Sequence, residues 1–362
     1  MLSGIACTMI GIDEKSYFVA SWKKTRPLGV MSTAVRGDVV LTWEKVLSAD
    51  GYIVYEASSS QKYRFVSKTK TVGLVLKGRE RGETYRYYVK AYWVNKYGKT
   101  IYSKPSKTVS VHVPQKGVST IKNFLQVAIS PIGSTMYVWG GGWNREDTAA
   151  GAQARQLGLS NRWRTFSKNK DSGYDYKQYR YRIHDGLDCS GYVGWCVYNI
   201  LNVRNKQPGY VLSASKQAKK FAQDGLGTYR NASKVINYKP GDIMSSTCSC
   251  CGHVWIVVGA CADGSVVLVH ASPPGVQING TTTPDGKKNS QAYYLAKKYM
   301  KKYYSSWYRR FFDVSRGPTY LSHYGQMRWT TSGEHVVLSD PDHFYKKDAR
   351  RILKELFETV HS

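Results

Sequence analysis

The chain has 362 residues, 42% hydrophobic and 22% charged; this suits about two domains with real cores and excludes a disordered polymer. Lysine and arginine total 53 against 25 acidic residues, a formal charge of +28, so the surface should attract polyanions. Nucleic acid is disfavoured because no helix-turn-helix, RNA-binding sheet motif or zinc-finger spacing occurs; no apolar run reaches the ~18 residues of a membrane span, and seven cysteines, an odd number, exclude a fully paired disulfide framework.

Residues 1–26 form an N-terminal segment with no assigned structure. Its short apolar run, Ile5 to Ile10, lacks a positive flank and a cleavage site, so no secretion signal is visible. Residues 27–113 read as short strands separated by turns. Val39, Leu41 and Trp43 alternate with Val40 and Thr42, and Asp50-Gly51 is a turn signal before Tyr52-Ile53-Val54-Tyr55. Tyr85, Tyr87, Val89 and Ala91 alternate with Arg86, Tyr88, Lys90 and Tyr92, which predicts an all-β sandwich. Residues 114–118, with Pro114 and Gly117, read as a linker. A helix is expected next, with Ser119 as N-cap and Ile121, Phe124, Leu125 and Ala128 on one face.

The sharpest chemical signal is Asp188-Cys189-Ser190-Gly191, before an apolar run of helical length, Val193 to Leu201. A cysteine at a helix start meets free N–H groups and the positive dipole end, which favour the thiolate nucleophile. Cys196, two turns on, reads as a core thiol, and His184-Asp185 as a turn. His253 opens an apolar strand and His270 closes another, with Asp263-Gly264 as the turn between them. If the register places both on one face, one imidazole can act on Cys189 while the other orients it. Cys248-Ser249-Cys250-Cys251-Gly252-His253 looks metal-binding, but no second ligand pair is present. A disulfide among these thiols, or with Cys261, is the alternative. The last amphipathic pattern is Ala349, Ile352, Leu353, Leu356 and Phe357.

Two resemblances follow. Trp43, Gly51-Tyr52 and Gly82-Glu83-Thr84-Tyr85 before Tyr87-Tyr88-Val89-Lys90-Ala91 make residues 27–113 resemble a fibronectin type III domain, with Tyr85 as its corner tyrosine; Arg79 stands where that family usually has leucine. Tyr137-Val138-Trp139-Gly140-Gly141, Asp188-Cys189-Ser190-Gly191, Lys239-Pro240-Gly241-Asp242 and Gly252-His253-Val254 with His270-Ala271-Ser272 resemble, in this order, the NlpC/P60 family of papain-like cysteine peptidases. The fold class expected is therefore multidomain: an all-β sandwich, then an α+β papain-like NlpC/P60 domain over residues 119–362. That domain carries a large insertion, Gly142 to Leu187, and a long C-terminal extension whose aromatics are expected to wall a groove.

This second resemblance implies hydrolysis of peptidoglycan stem peptides, commonly between D-glutamate and a diamino acid. Cys189 would attack, His253 would shuttle the proton and His270 would orient His253. Asp188 and Ser190 would bind the free amino end of the substrate, and Tyr137 and Trp139 would line the site. No metal or cofactor is implied, anionic wall polymers are a second partner class, and the location implied is extracellular or at the cell wall. An amidase of the CHAP type, cutting between sugar and peptide, and an inactive wall-binding protein are the alternatives.

Overall fold

The computed structural model describes residues 26–35, 38–58, 61–113, 118–201, 208–247 and 252–358. The N-terminal segment, most of the expected linker, and Cys248, Cys250 and Cys251 with their expected metal or disulfide chemistry lie outside the described residues.

The first unit is the expected β-sandwich. One sheet holds β1 (Met31–Val35), β2 (Asp38–Thr42) and β5 (Gly73–Leu76), all antiparallel. The other has the order β4 (Arg64–Thr69), β3 (Gly51–Ser58), β6 (Thr84–Val94) and β7 (Thr100–Tyr102), with β8 (Val109–His112) also on β6. Alternation along β6 sends Tyr85, Tyr87, Val89, Ala91 and Trp93 into a core shared with Leu41, Trp43 and Val54. Tyr85 closes its corner as expected, its hydroxyl accepting from the Glu80 N–H at 3.0 Å. Arg79, in place of leucine, is explained by Glu56. That buried carboxylate takes Arg79 Nε at 2.5 Å and the Tyr87 hydroxyl at 2.8 Å, so the cation finds its partner inside the sandwich.

The second unit is α+β. After β9 (Ser119–Thr120) comes α1 (Ile121–Ile129), buried along Ile121, Phe124, Leu125 and Ala128. Its N-cap is Thr120, which accepts from Asn123 N–H at 3.0 Å; Ser119, the expected cap, is instead held in the parallel pair of β9 with β19 (Leu338–Ser339). The central sheet runs β11 (Gly186–Leu187), β10 (Met136–Tyr137), β16 (Gly275–Thr281), β15 (Val266–Ser272), β14 (Val254–Ala260), β13 (Ile243–Ser246), β18 (Tyr324–Trp329), β12 (Gly227–Arg230), with β17 (Ser315–Arg316) parallel to β16. In chain order the helices are α2 (Asn161–Lys168), α3 (Cys189–Leu201), α4 (Gln217–Gln223), α5 (Gln291–Tyr303), α6 (Ser305–Arg310), α7 (Thr319–Ser322) and α8 (Ala349–Phe357).

The expected C-terminal extension is an integral part of this sheet. β18 pairs with both β13 and β12, so it lies inside the strand order. Trp307 and Trp329 are buried, Trp307 donating to Gln277 and Trp329 to the Gly241 carbonyl. The inserted aromatics divide between roles. Trp163 packs edge-on against Trp195 in the core, while Tyr181 is 62% exposed.

Candidate functional site

Cys189 is the first residue of α3. The Asp188 carboxylate caps the turn it opens, accepting from Gly191 N–H at 2.7 Å and the Ser190 hydroxyl at 2.9 Å. Its second oxygen accepts from Gly140 N–H at 3.2 Å, and Asp188 N–H donates to the Gly141 carbonyl at 2.9 Å. The Tyr-Val-Trp-Gly-Gly segment and the cysteine motif are therefore one interlocked substructure. Glycine is required in both: a Cβ on Gly191 would lie 2.0 Å from the Gly141 oxygen, and one on Gly142 would lie 2.6 Å from the Gly191 Cα.

Cys189 Sγ sits 4.0 Å from the Gly252 carbonyl oxygen. Burial pushes its thiol up to about 12 and the Asp188 charge adds to this, while the N–H groups of Val254, Ser190 and Cys189 pull the other way. The helix start was expected to favour the thiolate, but in this closed geometry desolvation outweighs the N–H groups.

His253 and His270 meet as the sequence anticipated, by a route it did not show. The β14–β15 connection, residues 261–265, has an odd length, which alone would put the two on opposite faces. A bulge between Val257 and Gly259 restores the parity. His253 Nε2 and His270 Nδ1 are then 2.8 Å apart, and His270 Nε2 lies 3.1 Å from Asn279 Oδ1 on β16. With the Asn279 amide placed so that Oδ1 faces His270 and Nδ2 has no partner among the described residues, the oxygen can only accept, and His270 carries its proton on Nε2 and accepts at Nδ1. His253 must then carry its proton on Nε2, which leaves Nδ1 as a free base. Burial, reinforced by Arg316, lowers His253 to about 3 and holds His270 well below the ordinary imidazole value. Both rings are neutral at rest.

The surroundings come from several elements. Tyr137 is buried beside Cys189 and Asp188, its ring edge-on to Tyr176. The Tyr174 hydroxyl donates to the Tyr137 carbonyl at 2.7 Å. Trp139 is 45% exposed with the Arg180 guanidinium 5.5 Å above its ring. Ser190 accepts from Trp143 Nε1 at 3.0 Å. Asp188 and Ser190 are thus committed to the local scaffold, while Trp139 presents an open face. Tyr320 and Tyr324 close the far side, with ring centroids 5.9 and 6.4 Å from His253.

Three residues of this site were not read from the sequence: Asn279, Arg316 and Tyr320; Tyr324 stands among the C-terminal aromatics expected to wall a groove. A signal for Asn279 existed. Gln277, Asn279 and Thr281 alternate along a strand that is wholly buried, and polar side chains there need partners. Among the described residues no group of three or more His, Cys, Asp or Glu could hold a metal, and no helix is long and apolar enough to cross a membrane.

No protein-family model matches the chain, and neither does any curated protein. Solved structures do resemble part of it. One described as a myokine structure is 21% identical, covers 25% of this chain and 98% of its own, with a TM-score of 0.21. A structure of FN3tt mut is 23% identical over 25% of this chain and 92% of its own, at a TM-score of 0.19. A Fn3-like protein from Clostridium thermocellum is 21% identical over 25% and 95%, at a TM-score of 0.21.

Proposed function

We propose that this chain is a cysteine hydrolase of the papain-like NlpC/P60 kind, acting on the stem peptides of peptidoglycan, with a fibronectin type III module before it. The observation that carries the reading is the ordered relay from Asn279 through His270 to His253, converging on the strand end that Cys189 faces at the start of α3. The tautomers that Asn279 imposes give His253 Nδ1 a lone pair, which a general base requires. In this mechanism His253 takes the thiol proton as Sγ bonds to the scissile carbonyl carbon. N–H groups at the helix start stabilise the oxyanion. The C–N bond then breaks, the amine leaves with the proton from His253, and water opens the thioester with His253 again as base.

The motif order supports a stem-peptide endopeptidase over the amidase alternative. The basic surface fits retention on anionic wall polymers in an extracellular setting. The test is digestion of purified peptidoglycan and of a short stem peptide with a free amino end, read by mass spectrometry. Wild-type protein should release fragments cut within the peptide, and Cys189→Ala should release none. Cleavage by Cys189→Ala at the wild-type rate would remove the nucleophile and the function built on it. Cuts only between sugar and peptide would favour the amidase.

A further inference from the structure

Arg316 has a place in the site that its segment does not advertise. It ends β17, and Thr281↔Arg316 pairs that strand with β16, the strand that carries Asn279. Its side chain is 13% exposed. Its ion-pair partner, Asp313, stands 3.4 Å away with 73% of its side chain in solvent, so the charge is poorly matched for one so enclosed. Arg316 touches Tyr320 and, after burial, is the next cause depressing both imidazoles, so its field reaches the relay.

On its other side Arg316 borders a cavity of about 270 Å³, lined also by Ser172, Tyr174, Pro274, Arg310 and Asp313. Arg310 is anchored there through the carbonyls of Ser167 and Lys170, neutral groups that fix the guanidinium without cancelling its charge. Tyr174 ties this cavity to Tyr137 beside Cys189. An enclosed cation with a weak counterion, bordering a cavity that holds a second guanidinium, is matched by an anion brought by the ligand.

We propose that Arg316, backed by Arg310, is a specificity-determining anchor for a carboxylate on the substrate, seated in this cavity while the scissile bond lies over Cys189. This rests on the peptide-hydrolase reading for the word substrate, but the anchor can be tested without it. The full-length protein is alkylated at pH 9 with iodoacetate and, separately, with iodoacetamide, and the rate at Cys189 is followed by peptide mass mapping. The two reagents differ in carrying a carboxylate or a neutral amide.

The ratio of the iodoacetate to the iodoacetamide rate at Cys189 should exceed that of glutathione by about tenfold, as expected for a charge-matched site. Arg316→Gln should return it to the glutathione value, and Arg316→Lys should restore part of the preference. A wild-type ratio equal to that of glutathione, no alkylation of Cys189 by either reagent, or a preference unchanged in Arg316→Gln would each overturn the proposal. If the preference is found but no stem peptide is cut, the carboxylate anchor stands and the wall-peptide reading falls.

Discussion

Asn279 fixes the direction in which a proton can travel. Its Oδ1 accepts from His270, and that single constraint makes His253 Nδ1 the basic nitrogen. Asn279→Leu should lower turnover roughly 10²-fold, the low end of what a positioned base contributes. Asn279→Asp should instead stabilise imidazolium in the relay, shifting the acid limb of the kcat/KM profile to higher pH. A purely structural asparagine would change stability without moving that limb. A second prediction concerns Cys189. With the thiol pushed up to about 12 and His253 down to about 3, the resting pair is thiol and neutral imidazole between those values. Alkylation by neutral iodoacetamide should therefore rise with pH, about tenfold per unit from pH 7 to 10. A rate already level from pH 5 upward would mean a preformed ion pair. Cys189, His253 and His270 were legible because each stands at the start or end of an apolar run. Arg316 and Tyr320 were not, because polar and aromatic residues in a mixed segment look alike whether they line a site or a surface.

At the scale of elements, the alternation of β2 and β6 exposed the sandwich in the sequence, and the apolar runs exposed β14, β15 and α3. β18 escaped because its residues, Tyr324 to Trp329, include glycine, glutamine and arginine. Those polar residues belong there for a reason that only the sheet shows. Asp242, after the positive-φ Gly241, is fully buried at the start of β13. It takes Gln326 Nε2 at 2.8 Å and Arg328 Nε and Nη2 at 3.0 and 2.7 Å, all from β18. The Pro-Gly-Asp motif is thus the socket for a strand that arrives some eighty residues later. Arg328→Met should destabilise the fold by about 3–5 kcal/mol, since it leaves a buried carboxylate unpaired. The double change Arg328→Met with Asp242→Leu should recover part of that loss. Urea unfolding of the three proteins checks this, and equal stability of the single variant and wild type would show that β18 is held by apolar contacts alone.

Across the whole molecule, every residue of the candidate site lies in the second unit, yet the sandwich does not hang free. Glu44, just past β2, pairs with Arg164 on α2, and burial raises the one and lowers the other from its ordinary value. Gln126 and Asn123 of α1 donate to the carbonyls of Ser110 and His112 on β8, at 3.2 and 2.9 Å. α2 in turn sets Trp163 against Trp195 of α3, the helix that Cys189 begins. The sandwich thus reaches the helix that Cys189 begins through α2 and also directly, through β1. A chain starting at Val118 should fold, because the central sheet and α3 share a core that contains no sandwich residue. It should still cut a small soluble peptide. It should melt about 5 °C below the full chain, since Leu159, Ile129 and Phe357 lose their cover and Arg164 its partner. Glu44→Ala in the full chain should reproduce part of that drop by leaving Arg164 half-enclosed without its carboxylate. Calorimetry distinguishes the outcomes. Equal melting temperatures for the long and short chains would mean that the contact contributes nothing. Loss of peptide cleavage in a folded short chain would mean that the sandwich holds α3, and with it Cys189, in working position.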